Sequence, residues 1–238
     1  MTFKTRRKLR GYTLGAVAAA TYGMNPLFAL PLYEDGMNPD SVLFFRYLAA
    51  LPIVALMLLY RRRTLSPGKG NVIPLAAMGF VFALSSLSLF LSYRYMDAGI
   101  ASTLLFVYPI MVAVIMAVAY KEKISALTAG AIAVATAGIG LLYNGGEQPL
   151  SAFGTLLVFV SSLTYAIYIV YVNHSRLEKV PTLAVTFYVL LFGWTTLALK
   201  AGLSGSLTLP ADPALWGNIA ALAIFPTATS LLCTTAAI

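Results

Sequence analysis

The chain alternates long apolar stretches with short polar joints. Seven stretches carry no charge: residues 11–33, 71–93, 98–120, 124–146, 148–175, 180–199 and 213–238. An eighth, 41–60, carries one, Arg46. A helix of about 20 apolar residues crosses the ~30 Å hydrocarbon core of a bilayer, so each stretch predicts a membrane-spanning helix. The joints at 34–39 (with Gly36 and Asn38), 66–70, 144–149 and 202–213 have turn chemistry. None is long enough for an extramembrane domain. The pattern therefore predicts an all-α integral membrane protein, a polytopic bundle of eight transmembrane helices.

Composition removes the soluble alternative. Of the 238 residues, 60% are hydrophobic and 10% charged, with a mean hydropathy of +0.84. A soluble domain is about 45–50% apolar and about 25% charged, so this chain has too few charges for a solvated surface.

The net charge of +8 is consistent with nucleic-acid binding until its distribution is considered. Lys4, Arg6, Arg7, Lys8 and Arg10 precede the first span, and Arg61, Arg62, Arg63 and Lys69 follow the second. Lys121 and Lys123 follow the fourth, Arg176 and Lys179 the sixth, so 13 of the 16 cations fall on one side. The alternate joints hold Glu34, Asp35, Asp40, Asp97, Glu147 and Asp212, six of the eight acids. Cations retained on the cytoplasmic side set orientation, which predicts a cytoplasmic N-terminus. The basic joints then meet anionic lipid headgroups, and no nucleic acid is implied. The first apolar run continues to Tyr33, past the small residues Ala18–Ala20 where a secretory signal would be cut. A lone Cys233 excludes an internal disulfide.

The chain also repeats. Gly11, Val17, Thr21, Tyr22, Phe44 and Leu48 recur as Gly154, Val160, Thr164, Tyr165, Phe187 and Leu191, 143 positions on. At an offset of 144, Leu75-Ala76-Ala77-Met78 falls on Ile219-Ala220-Ala221-Leu222, and Ser86-Leu87 on Ser230-Leu231. The repeating unit holds five spans, an odd number, so the second copy enters the membrane from the opposite side. Inverted repeats of this kind place two related gates around one site in secondary transporters. The domains expected are 1–146, a first five-helix repeat, and 147–238, a second with three helices. Two inverted five-helix repeats would make ten helices, so the expectation is a chain cut after the eighth. A stop codon directly after Ile238 would overturn it.

Between the third and fourth spans stands Tyr93-Arg94-Tyr95-Met96-Asp97-Ala98-Gly99-Ile100-Ala101-Ser102, followed by Tyr108-Pro109 and Lys121-Glu122-Lys123. An Ala-Gly opening a helix, a proline in its middle and a glutamate beside a base at its end resemble the drug/metabolite transporter superfamily, in its EamA branch. The resemblance implies ten helices in two inverted halves and movement of small metabolites. Gly99 and Ala101 allow a tight turn. Pro109 removes a backbone hydrogen bond and bends the helix, as a static kink or as a gate whose freed carbonyls line a cavity. Glu122 reads as a headgroup-level residue.

Arg46 is the candidate with the clearest chemistry. It lies about 9 Å into its helix at 1.5 Å per residue, where an arginine costs about 2.5 kcal/mol or more unless it snorkels or is paired. Asp40 or Asp97 would be its internal partner; the functional alternative is an anchor for a substrate carboxylate. Its repeat mate is Val189. Asn25-Pro26 interrupts the first span and offers an amide. Ser85, Ser88 and Ser92 share one helix face, for packing or for binding. Tyr165 and Tyr168, with Thr164, the repeat mate Tyr22, Tyr108 and Trp194, supply aromatic walls. Pro26, Gly99, Pro109 and Pro226 are the candidate kinks and gates. Gly130, Gly138 and Gly140 suit close helix packing within one subunit or, alternatively, a homodimer face.

No catalytic residue, metal cluster or phosphate loop emerges, and no cofactor is implied. The sequence predicts a multi-pass protein of a bacterial inner (plasma) membrane. Its expected activity is that of a secondary transporter or permease for a small polar metabolite, an amino acid or a derivative, with efflux by analogy to the family. Alternating access would use spans 1, 2, 3, 4, 6 and 8. A receptor or assembly factor on the same bundle is the alternative.

Overall fold

A computed structural model describes residues 3–61, 66–68, 70–122, 129–130, 132–134, 137–138, 151–205, 207–230 and 233. In chain order its helices are α1 (Phe3–Gly23), α2 (Asn25–Glu34), α3 (Pro39–Tyr60), α4 (Val72–Ser92) and α5 (Ala98–Leu105). They continue with α6 (Tyr108–Ala119), α7 (Ala152–His174), α8 (Thr182–Ser204) and α9 (Trp216–Leu222), which runs into a π turn at Ala223–Thr229. Short 3₁₀ turns lie at Arg176–Lys179 and Pro213–Leu215. No strand occurs among the described residues.

Five segments are long and apolar enough to cross a membrane: Pro39–Tyr60, Val72–Ser92, Ala98–Ala119, Ala152–His174 and Thr182–Ser204. The first expected span is split at Met24 into α1 and α2. The eighth combines the short α9 with the π turn. Most of the fifth, with Gly140, lies outside the described residues, as do Arg62, Arg63, Lys69, Lys123 and Glu147.

The chain divides into two compact units, Met1–Lys69 with Val180–Ile238, and Gly70–Lys179. Each takes helices from both sides of residue 143. In the first, α3 packs along α8, and the π turn packs on α1 and α3. Leu43, Tyr47, Ala50, Val54 and Leu58 recur at three-to-four spacing on α3 and are buried, as are Leu190, Gly193, Leu197 and Ala201 on α8. Two such stripes make the antiparallel seam. One end of it is apolar, with Leu58 against Leu183 and Ala184. The other is polar: Lys200 Nζ meets Asp40 Oδ1 at 2.5 Å, and Thr208 N donates to Ser41 Oγ at 2.8 Å. Asn38, before Pro39, caps α3 by accepting from Ser41 N at 2.8 Å, a helix start of the kind that tolerates proline in its first turn. Gly205, at φ +60°, ends α8 in the left-handed conformation that glycine adopts without penalty.

In the second unit α7 is the hub, packing on α4, α5 and α6. Ser151 caps it by accepting from Gly154 N at 3.2 Å. Buried Ser85 and Ser161 exchange bonds across the α4–α7 seam: each hydroxyl donates to the other's carbonyl, at 2.9 and 2.8 Å. Small hydroxylic residues at a seam let helices approach closely and add interhelical hydrogen bonds.

Candidate functional site

An α-helical proline leaves one carbonyl without its donor, that of the residue four back. Two of the prolines singled out in the sequence do this, and in each case a side chain fills the place. Pro26 frees Tyr22 O, which accepts from Asn25 Nδ2 at 2.8 Å. Pro109 frees Leu105 O, which accepts from Ser162 Oγ at 3.2 Å. Pro226 differs: the i→i−5 pattern of the π turn gives Leu222 O the Thr227 N–H, and Thr227 Oγ1 adds a second bond to it at 3.0 Å. The first two lie at helix breaks, at Met24 and at Phe106–Val107. The third lies in the π turn, a form of helix frequent at functional sites.

The first unit gathers Tyr22, Asn25, Arg46, Trp194 and Pro226. Arg46 is 6% exposed, and its Nε donates to Thr227 Oγ1 at 3.0 Å. The acids weighed as its partners are engaged elsewhere: Asp40 pairs with Lys200, and Asp97 Oδ1 caps α5 by accepting from Ile100 N at 2.9 Å. Asn25 is 1% exposed. Its Nδ2 serves Tyr22 O, which fixes the amide orientation, since a carbonyl only accepts. Its Oδ1 is buried with no hydrogen-bond partner, and so is Trp194 Nε1. The Trp194 ring lies 5.5 Å from Phe44, and Phe28 stacks on Phe225 of the π turn at 5.8 Å.

The second unit gathers the remaining candidates. Tyr108 meets Tyr165 edge-on at 4.9 Å, Tyr165 stacks on Tyr168 at 6.0 Å, and Phe82 lies 5.3 Å from Tyr168. These rings form one aromatic cluster on α4, α6 and α7. Phe82 was not anticipated from the sequence; its register on α4, facing the tyrosines of α7, was the missing information. Thr164 Oγ1 bonds within its own helix, to Val160 O at 2.8 Å and Ser161 O at 3.0 Å. Ser85 is engaged with Ser161, and Ser88 is buried on the same face. Gly99 has a role in the cap: a Cβ there would stand 3.0 Å from Asp97 Oδ1.

Among the described residues no group of three or more His, Cys, Asp or Glu is placed to hold a metal ion. What the site has is one buried cation, unpartnered polar atoms and proline-broken helices, in a chain of apolar spans.

A curated relative, the "Uncharacterized transporter YcbK" of Bacillus subtilis (strain 168), is 27% identical over 177 residues, 72% of this chain and 57% of its own length. One solved crystal structure aligns over 95% of this chain and 78% of its own, with a TM-score of 0.70 at 18% identity, which establishes a shared fold. The model of the EamA-like transporter family matches residues 9–144, more than half of the chain. This multi-pass membrane protein belongs to the EamA-like transporter family.

Proposed function

We propose that the protein is a secondary transporter for small polar metabolites bearing an anionic group, amino acids or their derivatives among them, and that Arg46 anchors that group. The observation that carries the reading is a guanidinium 6% exposed inside an apolar span, held through Nε by a hydroxyl. A planar guanidinium suits carboxylates, which it binds in bidentate fashion. Asn25 Oδ1, a buried acceptor without a partner, and Trp194 Nε1, a buried donor without one, complement it in the same unit. Such groups are costly unless something satisfies them, and a substrate with both donors and acceptors would do so. Tyr22 belongs to this group. Tyr108, Thr164, Tyr165, Tyr168, Ser85 and Ser88 form the polar and aromatic group of the other unit, and Pro26, Gly99, Pro109 and Pro226 supply the bends of a gate.

The inverted repeat is part of the proposal, with alternating access, a cytoplasmic N-terminus and efflux. Its support is a duplicated contact. Ser85 Oγ donates to Ser161 O at 2.9 Å, and Ser230 Oγ donates to Ala18 O at 3.0 Å. Residues 18 and 161 are 143 apart, residues 85 and 230 are 145 apart, so the bonds correspond under exchange of the copies. The α3–α8 seam pairs a helix with its own repeat mate, as the same exchange requires.

The test is flux. The protein in lipid vesicles is expected to move labelled amino acids, and Arg46→Gln to slow zwitterionic and anionic substrates selectively. No flux across a broad metabolite panel would remove the transporter reading. Equal flux in the Arg46 variant would remove the anchor and leave the rest.

A further inference from the structure

The two copies of the repeat differ by one residue where the π turn lies. Leu75-Ala76-Ala77-Met78 matches Ile219-Ala220-Ala221-Leu222 at an offset of 144. The mirrored serine bonds, Ser85 to Ser161 and Ser230 to Ala18, then require 145. One residue has entered between Leu222 and Ser230. The π turn Ala223–Thr229 fills that interval, and a π turn holds one residue more than the α turn it replaces. The counterpart helix α4 runs unbroken as α-helix from Val72 to Ser92.

The insertion coincides with a change from apolar to polar. Opposite Arg46 the other copy has Val189, 1% exposed; opposite Thr227 it has Phe82 or Ala83, depending on the offset taken. Thr227 has a single hydroxyl proton, and Leu222 O receives it at 3.0 Å. The oxygen lone pairs are therefore what Arg46 Nε meets, at 3.0 Å. The π turn's i→i−5 pattern already gives Leu222 O the backbone N–H of Thr227, so the hydroxyl adds a second bond to the same carbonyl. The π turn and hydroxyl thus make one device. It aims an acceptor at the arginine and, by holding Nε, fixes the direction of the planar guanidinium's terminal edge.

We propose that Thr227, presented by the π turn, is the positioning residue of Arg46 and sets its affinity for an anionic group. The inference rests on the reading of Arg46 as the substrate anchor. Thr227→Ser keeps both bonds; Thr227→Val keeps the shape and loses both.

The experiment uses the whole protein in lipid nanodiscs, ¹⁵N-labelled at arginine, with the Arg46 Nε–H signal assigned by its loss in Arg46→Gln. The probes are acetate and its uncharged isostere acetamide. Acetate is expected to shift the signal saturably and acetamide to leave it in place. Thr227→Ser should hold the acetate midpoint within about twofold, and Thr227→Val should weaken it about tenfold, the order of a hydrogen bond to a charged group. If Thr227→Val does not fold, Thr227→Ala, which also removes the hydroxyl, replaces it. No saturable shift with acetate removes the anchor reading, and this inference with it. Acetate binding with an unchanged midpoint in the valine variant overturns the positioning role and leaves the anchor standing. Equal weakening by serine and valine overturns it too, since packing alone would then be at work.

Discussion

Pro109 and Pro226 each interrupt an apolar helix, and the two interruptions are put to different use. In the second unit, the carbonyl freed by Pro109 is filled by Ser162 from a neighbouring helix, and the bond staples α5 to α7. In the first, Pro226 lies in a π turn whose backbone serves Leu222 O, and the Thr227 hydroxyl that bonds the same carbonyl goes on to hold a buried cation. A proline break near the middle of an apolar helix is thus not by itself a gate. What distinguishes the two is where the hydroxyl beside the break leads.

The contrast is sharpest in double-mutant cycles, which isolate the pairwise part of an interaction. Thr227→Val should be the most damaging of the repairs to lose, at about 3 kcal/mol, because it removes a bond to a carbonyl and one to a charge. In a cycle with Arg46→Gln, the coupling assigned to the charged bond should be about 2 kcal/mol. Reversible unfolding in mixed micelles measures both. A coupling near zero would mean that Arg46 draws nothing from the hydroxyl, and the difference between the two breaks would vanish.

Part of this was legible in the sequence. Pro26, Pro109 and Pro226 stood out, and two of the three side chains that bond beside them are adjacent in sequence, Asn25-Pro26 and Pro226-Thr227. Arg46 was recognisable by its cost alone. Charge pairing makes carboxylates its expected partners, but Asp40 lies six residues before it on α3 and is taken by Lys200, and Asp97 by the start of α5. Ser162 could not be assigned to Leu105, since their bond joins residues 57 apart in sequence. The π turn was hidden for a different reason: one added residue leaves an apolar stretch apolar. Its trace was the drift of the repeat offset, which aligned Ser86 with Ser230 where the bonding matches Ser85 instead.

For the Pro109 break the cycle should close. Ser162→Ala leaves Leu105 O without that donor and should cost about 1–2 kcal/mol, in the range of interhelical hydrogen bonds within lipid. In a Pro109→Ala background the backbone N–H takes the carbonyl, and the same change should cost no more than about 0.5 kcal/mol. A full cost in both backgrounds would mean that Ser162 stabilises the seam by packing and that Pro109 is irrelevant to it.

The Pro26 break should be the mildest to disturb, and the reason lies in one amide. Asn25→Ala takes the donor from Tyr22 O, which destabilises, but it also removes a buried Oδ1 that has no partner of its own, which stabilises. An unpartnered buried polar atom costs about 1–3 kcal/mol, so the two effects nearly cancel and the net loss should stay under about 1 kcal/mol. Asn25→Ala should therefore be cheaper than Ser162→Ala in the same unfolding experiment, although it breaks the shorter hydrogen bond. A larger loss at Asn25 would reveal a partner for Oδ1 in the membrane-embedded protein, and would take away the reason for counting that oxygen among the groups awaiting a substrate.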